Sequence, residues 1–204
     1  MKLVAATGNA HKLQEIRAIL QGFTVVSEKE AGYVGDVEET GETFLENALI
    51  KARAVCEATG LPAIADDSGI CVEALSGAPG VHSARYASQD GKNSSDESNR
   101  ALLLRNLQGE QNRRAWFTSA VALVFPDGRE VTAEGHTYGR ILDKETGEGG
   151  FGYDCLFFSD DLQKSFGEAS PEEKDAVSHR GRSLRLFVEK LENYLKDKGE
   201  KELC

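Results

Sequence analysis

Long apolar runs are absent from this 204-residue sequence. The run Leu3–Ala6 is shorter than the core of a signal peptide, and no segment approaches the roughly 20 apolar residues that a membrane-spanning helix needs. We therefore expect a cytoplasmic protein with no membrane partner.

Cysteines are few and are not arranged as a metal site. The four of them, Cys56, Cys71, Cys155 and Cys204, form neither a CxxC pair nor a spacing with histidine that suits zinc. This spacing argues against structural zinc, and it predicts free thiols in a reducing compartment.

Positive charge is also scarce, since 24 Lys and Arg stand against 34 Asp and Glu, for a net charge of -10. Such a chain does not bind nucleic acid by bulk electrostatics, so we expect no nucleic-acid partner. An anionic ligand would need local help from a divalent cation, a few placed basic side chains, or a helix N-terminus.

Low-complexity tracts, internal repeats and linker-like segments are missing as well. With 40% hydrophobic and 28% charged residues, the composition is that of a folded globular protein. The sequence predicts a single domain over residues 1–204.

Strand and helix patterns alternate in the first part of the chain. Helical spacing of Leu13, Ile16 and Leu20 follows a short strand pattern, and a capping box at Thr43 opens a second helix that Gly60 ends. The other expected elements are strands at Leu3–Ala6, Phe23–Val26, Ala63–Ala65 and Ile70–Ala74, a helix after Ser94-Ser95, and a last helix at Ser183–Leu195.

A hairpin pattern follows later in the chain. Strand-like runs at Trp116–Phe125 and Arg129–Tyr138 flank the turn signal Pro126-Asp127-Gly128. Together these patterns predict an α/β fold with a mixed sheet flanked by helices, in two lobes with a central substrate cleft.

The turn at the start of the first helix is a candidate phosphate site. Asn9 is placed as the helix N-cap, and Lys12 in the first turn can reach an anion held at the helix N-terminus. The GxxxxGK[ST] spacing of a P-loop is absent, so an ordinary strand-to-helix connection remains the alternative.

Two groups of acids are candidate metal ligands. Asp66 and Asp67 are expected at a strand end, where carboxylates can hold a hard cation such as magnesium; a turn capped by Asp66 is the alternative. Because adjacent carboxylates repel, a cation or donor is expected beside them. Glu38 and Glu39 in a glycine-spaced loop could complete the site or could simply be solvated.

Two later segments suit a nucleotide base. Phe151-Gly152-Tyr153-Asp154 combines aromatic rings with a carboxylate that could read a base edge, although an aromatic core is the alternative. A basic patch follows before the last helix, formed by Lys174, Ser178, His179, Arg180 and Arg182.

Taken together and in order, these segments resemble the Ham1-like inosine triphosphate pyrophosphatase family, also called dITP/XTP or non-standard purine NTP pyrophosphatases. The resemblance covers nearly the whole chain. It is carried by Thr7-Gly8-Asn9 with Lys12, Glu38-Glu39-Thr40-Gly41, Glu46-Asn47-Ala48 with Lys51-Ala52, Ala65-Asp66-Asp67-Ser68-Gly69, Gly77-Ala78-Pro79-Gly80 with Ser83-Ala84-Arg85-Tyr86, Gly149-Gly150-Phe151-Gly152-Tyr153-Asp154, and Ser178-His179-Arg180-Gly181.

The resemblance implies hydrolysis of ITP, dITP and XTP between the α and β phosphates, a Mg2+ requirement, and a homodimer. It implies that Asp67 is the proton acceptor and a metal ligand, that Glu38 is the second metal ligand, and that Ser68 contacts substrate. The remaining implied substrate contacts are Thr7, Gly8, Asn9, Ala10, His11 and Lys12 at the triphosphate, Lys51 nearby, and Phe151, Gly152, Tyr153, Asp154, Lys174, His179 and Arg180 around the nucleoside.

This sequence departs from the family pattern at three positions. Cys155 follows the FGYD block where the family has proline, His82 stands where an aromatic is common, and Ser183 replaces a usual alanine. Loss of proline removes a fixed φ beside the base-binding segment. None of the three removes a group with an implied catalytic role.

Base selection can be argued from hydrogen bonding. Hypoxanthine and xanthine present O6 and N7 acceptors, which an arginine fork such as that of Arg180 can bind, and Asp154 could accept from N1–H. Adenine presents a donor at position 6 and would leave buried groups unpaired, at about 1 to 3 kcal/mol each.

Two other functions remain open from sequence alone. A Maf-like pyrophosphatase acting on modified or pyrimidine nucleotides would also use acids and lysines. A nucleotide-sensing module would bind triphosphate without hydrolysis, although paired acids of the metal-binding type and the lack of an output domain argue against it.

Overall fold

The computed structural model describes residues 1–197. The helices are α1 (Ala10–Ile19), α2 (Phe44–Thr59), α3 (Asp96–Asn106), α4 (Pro171–Val177) and α5 (His179–Asp197). The strands are β1 (Lys2–Ala5), β2 (Thr24–Ser27), β3 (Ala63–Val72), β4 (Arg114–Val124), β5 (Glu130–Ile141), β6 (Phe157–Ser159) and β7 (Lys164–Ser165).

The strands form one seven-stranded mixed sheet in the order β2-β1-β3-β4-β5-β6-β7. Strand β1 runs parallel to both β2 and β3, with Val4 opposite Val26 on one side and Ala63 on the other. The pairs β5–β6 and β6–β7 are antiparallel. Helix α1 connects β1 to β2, as a crossover between parallel strands requires, and the predicted fold class is confirmed.

The predicted starts of α1 and α2 are confirmed by their caps. The Asn9 side chain accepts hydrogen bonds from the backbone N–H groups of His11 and Lys12. Thr43 and Glu46 form the reciprocal capping box of α2, and Gly60 ends that helix with a left-handed φ of 66°. These local signals need no tertiary contact, which is why sequence alone places them well.

The expected strand end at Asp66-Asp67 is wrong. Both acids lie inside the continuous ten-residue strand β3, which is buried along nearly its whole length. Successive strand residues point to opposite faces, so the two carboxylates are separated. Each carboxylate also has a lysine partner, Lys12 for Asp66 and Lys51 for Asp67, and the charges therefore do not interrupt the strand.

The C-terminal part contains a helix that the sequence reading missed. Helix α4 begins at a capping box formed by Ser170 and Glu173, with Pro171 at its first position. Lys174, a member of the predicted basic patch, therefore lies on α4. Helix α5 begins at His179, ahead of the predicted Ser183, so His179 and Arg180 occupy its first turn.

The chain divides into two compact units, neither of which is contiguous in sequence. Unit 1 comprises Met1–Asp67, Ala120–Glu134 and the chain from Ser183 on; unit 2 comprises Ser68–Ser119 and Gly135–Arg182. The largest core cluster of unit 1 includes Leu3, Ile16, Ile64, Leu123 and Phe187. The core of unit 2 includes Ile70, Leu103, Phe117, Phe157 and Phe166. A single domain over residues 1–204 and a central cleft stay predictions.

Cys56, Cys71 and Cys155 are free thiols, as predicted, and Cys204 lies outside the described residues. Among residues 1–197, no helix combines the length and apolar character that crossing a bilayer requires.

Candidate active site

An acid–lysine cluster in unit 1 is formed by Lys51, Asp67 and Glu39. The Lys51 Nζ atom lies 2.9 Å from Asp67 Oδ1 and 2.9 Å from Glu39 Oε1, so one ammonium group bridges two carboxylates. Helix α2 supplies the lysine, strand β3 supplies Asp67, and the loop before α2 supplies Glu39. The arrangement holds Asp67 in one orientation on a rigid strand.

Burial sets the protonation behaviour of this cluster. The Asp67 side chain is only 10% exposed, and this burial raises its pKa above the usual value, although Lys51 and Lys12 act in the opposite direction. Burial alone would lower the pKa of Lys51, but the neighbouring carboxylates of Asp67, Glu39 and Asp66 offset it and the net pKa is raised. Lys51 therefore stays charged, and Asp67 is a stronger base than an exposed aspartate.

A second pair joins α1 to the other face of β3. Lys12 Nζ lies 3.1 Å from Asp66 Oδ2 and 3.5 Å from the Asp66 backbone oxygen. The Asp66 side chain is fully buried, whereas the Lys12 side chain retains 16% exposure. The pair explains why two adjacent acids coexist in a buried strand, since each has its own cation.

The turn before α1 presents exposed backbone. Gly8, Asn9, Ala10 and His11 are exposed, and Thr7 is half-buried. The Thr7 hydroxyl oxygen accepts a hydrogen bond from the Asn9 N–H at 3.2 Å, which fixes the turn. An exposed helix N-terminus with a lysine in its first turn is a suitable environment for phosphate.

Glu38 and Glu39 occupy different environments. Glu38 is exposed, whereas Glu39 is half-buried and is the one that reaches the Asp67 cluster through Lys51. Among residues 1–197 there is no group of three or more His, Cys, Asp or Glu side chains arranged to hold a metal ion. The carboxylates present suit a cation that takes one or two protein ligands and completes its shell with phosphate and water, as magnesium does.

Asn47 is a site residue whose role the sequence reading missed. It is fully buried on α2; its Nδ2 group donates to Asp67 Oδ2 at 3.4 Å, and its Oδ1 atom accepts from the Gly41 N–H at 2.8 Å. A side chain on Gly41 would collide with Asn47 and Glu46. Asn47 and Lys51 stand four positions apart, and this spacing on α2 was the available signal that both face Asp67.

An aromatic–basic cluster in unit 2 is formed by Phe151, Asp154, Lys174, His179 and Arg180. Lys174 Nζ lies 4.6 Å from the centre of the Phe151 ring, and the Arg180 guanidinium carbon lies 5.9 Å from it. The Phe151 ring is 37% exposed. An exposed ring flanked by two cations suits a planar, electron-rich or anionic ligand.

Asp154 fixes the shape of the loop that carries this ring. Its buried carboxylate accepts from the Phe151 N–H at 2.8 Å and from Lys174 Nζ at 2.6 Å, both through Oδ2. The hydroxyl of the buried Tyr153 donates to the Ser83 backbone oxygen at 2.8 Å. Cys155, in place of proline, lies in a short helical turn, and its carbonyl accepts from the Thr146 N–H at 2.8 Å, so this backbone is anchored.

The first turn of α5 supplies the other members of the cluster. Arg180 is 4% exposed and donates from Nη2 to the Ser68 hydroxyl at 2.9 Å. His179 is also buried, and its ring stacks on Phe117 with centroids 4.6 Å apart and planes 10° from parallel. Ser68 directly follows Asp67 in the chain, so Arg180 contacts the residue next to the candidate base.

The Ham1 family model matches residues 3–190. The dITP/XTP pyrophosphatase of Geobacter sulfurreducens is 49% identical over 194 residues, covering 93% of this chain and 96% of that protein. That of Streptomyces coelicolor is 45% identical over 193 residues, covering 92% and 95%.

Solved structures agree with the sequence comparison. The Ham1 protein of Staphylococcus aureus matches with a TM-score of 0.85 and 38% identity, over 98% of this chain and 100% of that one. A HAM1 protein from Coxiella burnetii matches with a TM-score of 0.86 and 36% identity, over 97% and 99%. The resemblance identified from sequence is thereby confirmed, and this chain belongs to the Ham1 family.

Proposed function

We propose that this protein hydrolyses the non-standard purine nucleoside triphosphates ITP, dITP and XTP to the nucleoside monophosphate and pyrophosphate. The observation that carries the proposal is the buried Asp67 bridged by Lys51 to Glu39, in a member of the Ham1 family. The names of the relatives, dITP/XTP pyrophosphatases, support the same substrates. The activity would remove these nucleotides from the precursor pool.

Asp67 is assigned the role of proton acceptor. Its carboxylate is held by Lys51 and Asn47, and its pKa is raised by burial, so it can orient a water molecule and take its proton as the water attacks phosphorus. Lys12 would stabilise the departing pyrophosphate, and the turn Thr7–His11 would bind the triphosphate through its backbone.

The cation we propose is Mg2+, with Glu38 and Asp67 as its protein ligands. Both offer the oxygen donors that this hard ion prefers, and phosphate oxygens would fill other positions. When bound, the ion would neutralise negative charge on the phosphates that Lys12 and Lys51 alone do not offset. Glu39 remains engaged with Lys51 and keeps that lysine beside Asp67.

The aromatic–basic cluster is assigned to the base. Phe151 provides an exposed ring for stacking, and Arg180 and Asp154 provide a donor fork and an acceptor for the O6, N7 and N1–H groups. In the protein itself, Lys174 forms an ion pair with the Asp154 carboxylate, and the Arg180 guanidinium donates a hydrogen bond to the Ser68 hydroxyl. His179, stacked on Phe117, supports the start of α5 from which Arg180 projects.

Replacing Arg180 with Ala is expected to narrow the ratio of kcat/KM for ITP to that for ATP by about tenfold, because one bidentate contact contributes about 1–3 kcal/mol of base discrimination. Arg180→Lys is the matched control, since it keeps the charge and loses the fork. It should also narrow the ratio. An unchanged ratio in both variants would remove Arg180 from base recognition.

The proposed function is tested by pyrophosphate release from purified protein with Mg2+, using ITP, dITP, XTP, GTP, ATP and dTTP side by side. We expect strong release from ITP, dITP and XTP, weak release from ATP and GTP, and none with EDTA. A preference for dTTP would favour the Maf-like alternative. Binding of ITP without release from any substrate would favour a nucleotide sensor.

We also propose a homodimer, a cytoplasmic location, and a single functional domain with no nucleic-acid partner. The family resemblance supports the dimer, and the net charge of -10 argues against nucleic-acid binding. Light scattering on the purified chain should give about twice the 22.1 kDa chain mass.

A further inference from the structure

Gly152, in the loop of the aromatic–basic cluster, is held from two sides by helix α3. Its N–H donates to Asp96 Oδ2 at 2.8 Å, and its carbonyl accepts from Arg100 Nη1 at 2.9 Å. Asp96 and Arg100 are four positions apart on α3, so their side chains lie on one face of the helix. Both polar groups of this one peptide residue are thus bound by charged side chains.

The loop needs such support because of its glycines. Gly150 and Gly152 have φ values of 75° and 59°, in the left-handed region that other residues rarely adopt. Glycine gains this freedom at an entropic cost, so the unbound loop would sample many conformations. Charge-assisted hydrogen bonds from a regular helix select one of them.

Arg100 also ties down the chain entering the loop. Its Nε atom lies 2.7 Å from Glu145 Oε1, and its side chain is 18% exposed. One guanidinium therefore joins α3 to both Glu145 and Gly152. Asp96 is exposed in the first turn of α3, where an acid is also favourable to the helix dipole.

We propose that Asp96 and Arg100 are positioning residues for base recognition, which hold Gly152 so that the Phe151 ring and the Asp154 carboxylate are presented in the binding geometry. The inference rests on the proposed function and extends its site to helix α3. Neither residue is assigned a contact with the base. Their effect passes through the backbone of Gly152, whose neighbour Phe151 carries the ring beside Lys174 and Arg180.

The test compares Asp96→Ala with Glu97→Ala. Glu97 is an exposed acid in the same first turn of α3, so this control reproduces the change in charge and in helix dipole. We expect Asp96→Ala to raise KM for ITP by about tenfold, the effect of losing one hydrogen bond to a charged group, with kcat within about twofold. Glu97→Ala should leave both constants unchanged, and Asp96→Asn, which keeps an acceptor oxygen, should recover most of the affinity.

Arg100→Gln gives a second, independent arm, with Arg105→Gln, an exposed arginine later on α3, as its control. Equilibrium binding of ITP in EDTA, measured by calorimetry, should weaken about tenfold in Arg100→Gln and Asp96→Ala only. This binding measurement does not depend on hydrolysis of ITP, so it tests the positioning role separately from the proposed function. If the unmodified protein releases no pyrophosphate, the proposed function is contradicted. If all variants bind ITP with equal affinity, the positioning role is contradicted.

Discussion

Asp67→Asn is expected to lower kcat for ITP hydrolysis by about 100-fold or more. The amide keeps the shape of the side chain and its place on β3 between Lys51 and Asn47, but it cannot accept the proton of the attacking water. It also removes the negative charge of one of the two proposed ligands of the divalent cation. Steady-state pyrophosphate release at saturating ITP and Mg2+ measures the effect.

Asp36→Asn is the matched control for that substitution. Asp36 is an exposed acid in the loop before α2, so its neutralisation changes the net charge equally without touching the acid–lysine cluster. We expect its kcat to equal that of the unmodified protein. Turnover in Asp67→Asn within a few-fold of the control would show that Asp67 is not the proton acceptor.

Lys51→Met is expected to lower kcat/KM about tenfold near neutral pH and to move the acid limb of the pH profile to higher pH. Burial and the charge of Glu39 raise the pKa of Asp67, while the positive charge of Lys51 lowers it. Removing Lys51 therefore raises the pKa of Asp67 further. Because the ionised carboxylate is the active form, activity would be lost at a higher pH as the solution is acidified.

Lys51→Arg separates the charge of this residue from its shape. It keeps a cation between Glu39 and Asp67, so its acid limb should stay near that of the unmodified protein even if kcat falls through imperfect geometry. The profile of kcat/KM reports the free enzyme and is the quantity to compare. An acid limb that does not move in Lys51→Met would mean that Asp67 does not control it.

The elements that could be predicted from sequence are those with local signals. Helix α2 has a capping box at one end and Gly60 at the other, and both lie where the pattern placed them. Strand β3 was wrongly predicted as two strands separated at Asp66-Asp67, because charged residues usually avoid buried strands and the local pattern does not show what neutralises them. The lysines that neutralise its acids, Lys12 and Lys51, come from separate helices, and a one-dimensional pattern does not reveal that pairing.

The candidate site, too, was predictable only in part from the sequence. Residue types and order led to Asp67, Lys51, Phe151 and Arg180 through a family resemblance. The pairing of Lys51 with Glu39, the support that Asn47 gives to Asp67, and the clamp on Gly152 depend on tertiary distances. Helix α4 was different, since the capping box at Ser170 with Pro171 was present in the sequence and indicated a helix start.

The non-contiguous make-up of unit 1 has a consequence during synthesis. A ribosome adds about 5–20 residues per second from the N-terminus onward. Because Lys12, Lys51 and Asp67 lie in the first third of the chain, they leave the exit tunnel early. The core of their unit also needs Leu184, Phe187, Leu191 and Leu195, which emerge near the end, whereas the last fully buried residue of the unit 2 core, Phe166, is added earlier. A chain stalled after unit 2 would thus carry the residues of the acid–lysine cluster without the core that supports them. Such an incompletely folded chain would be inactive and open to proteolysis.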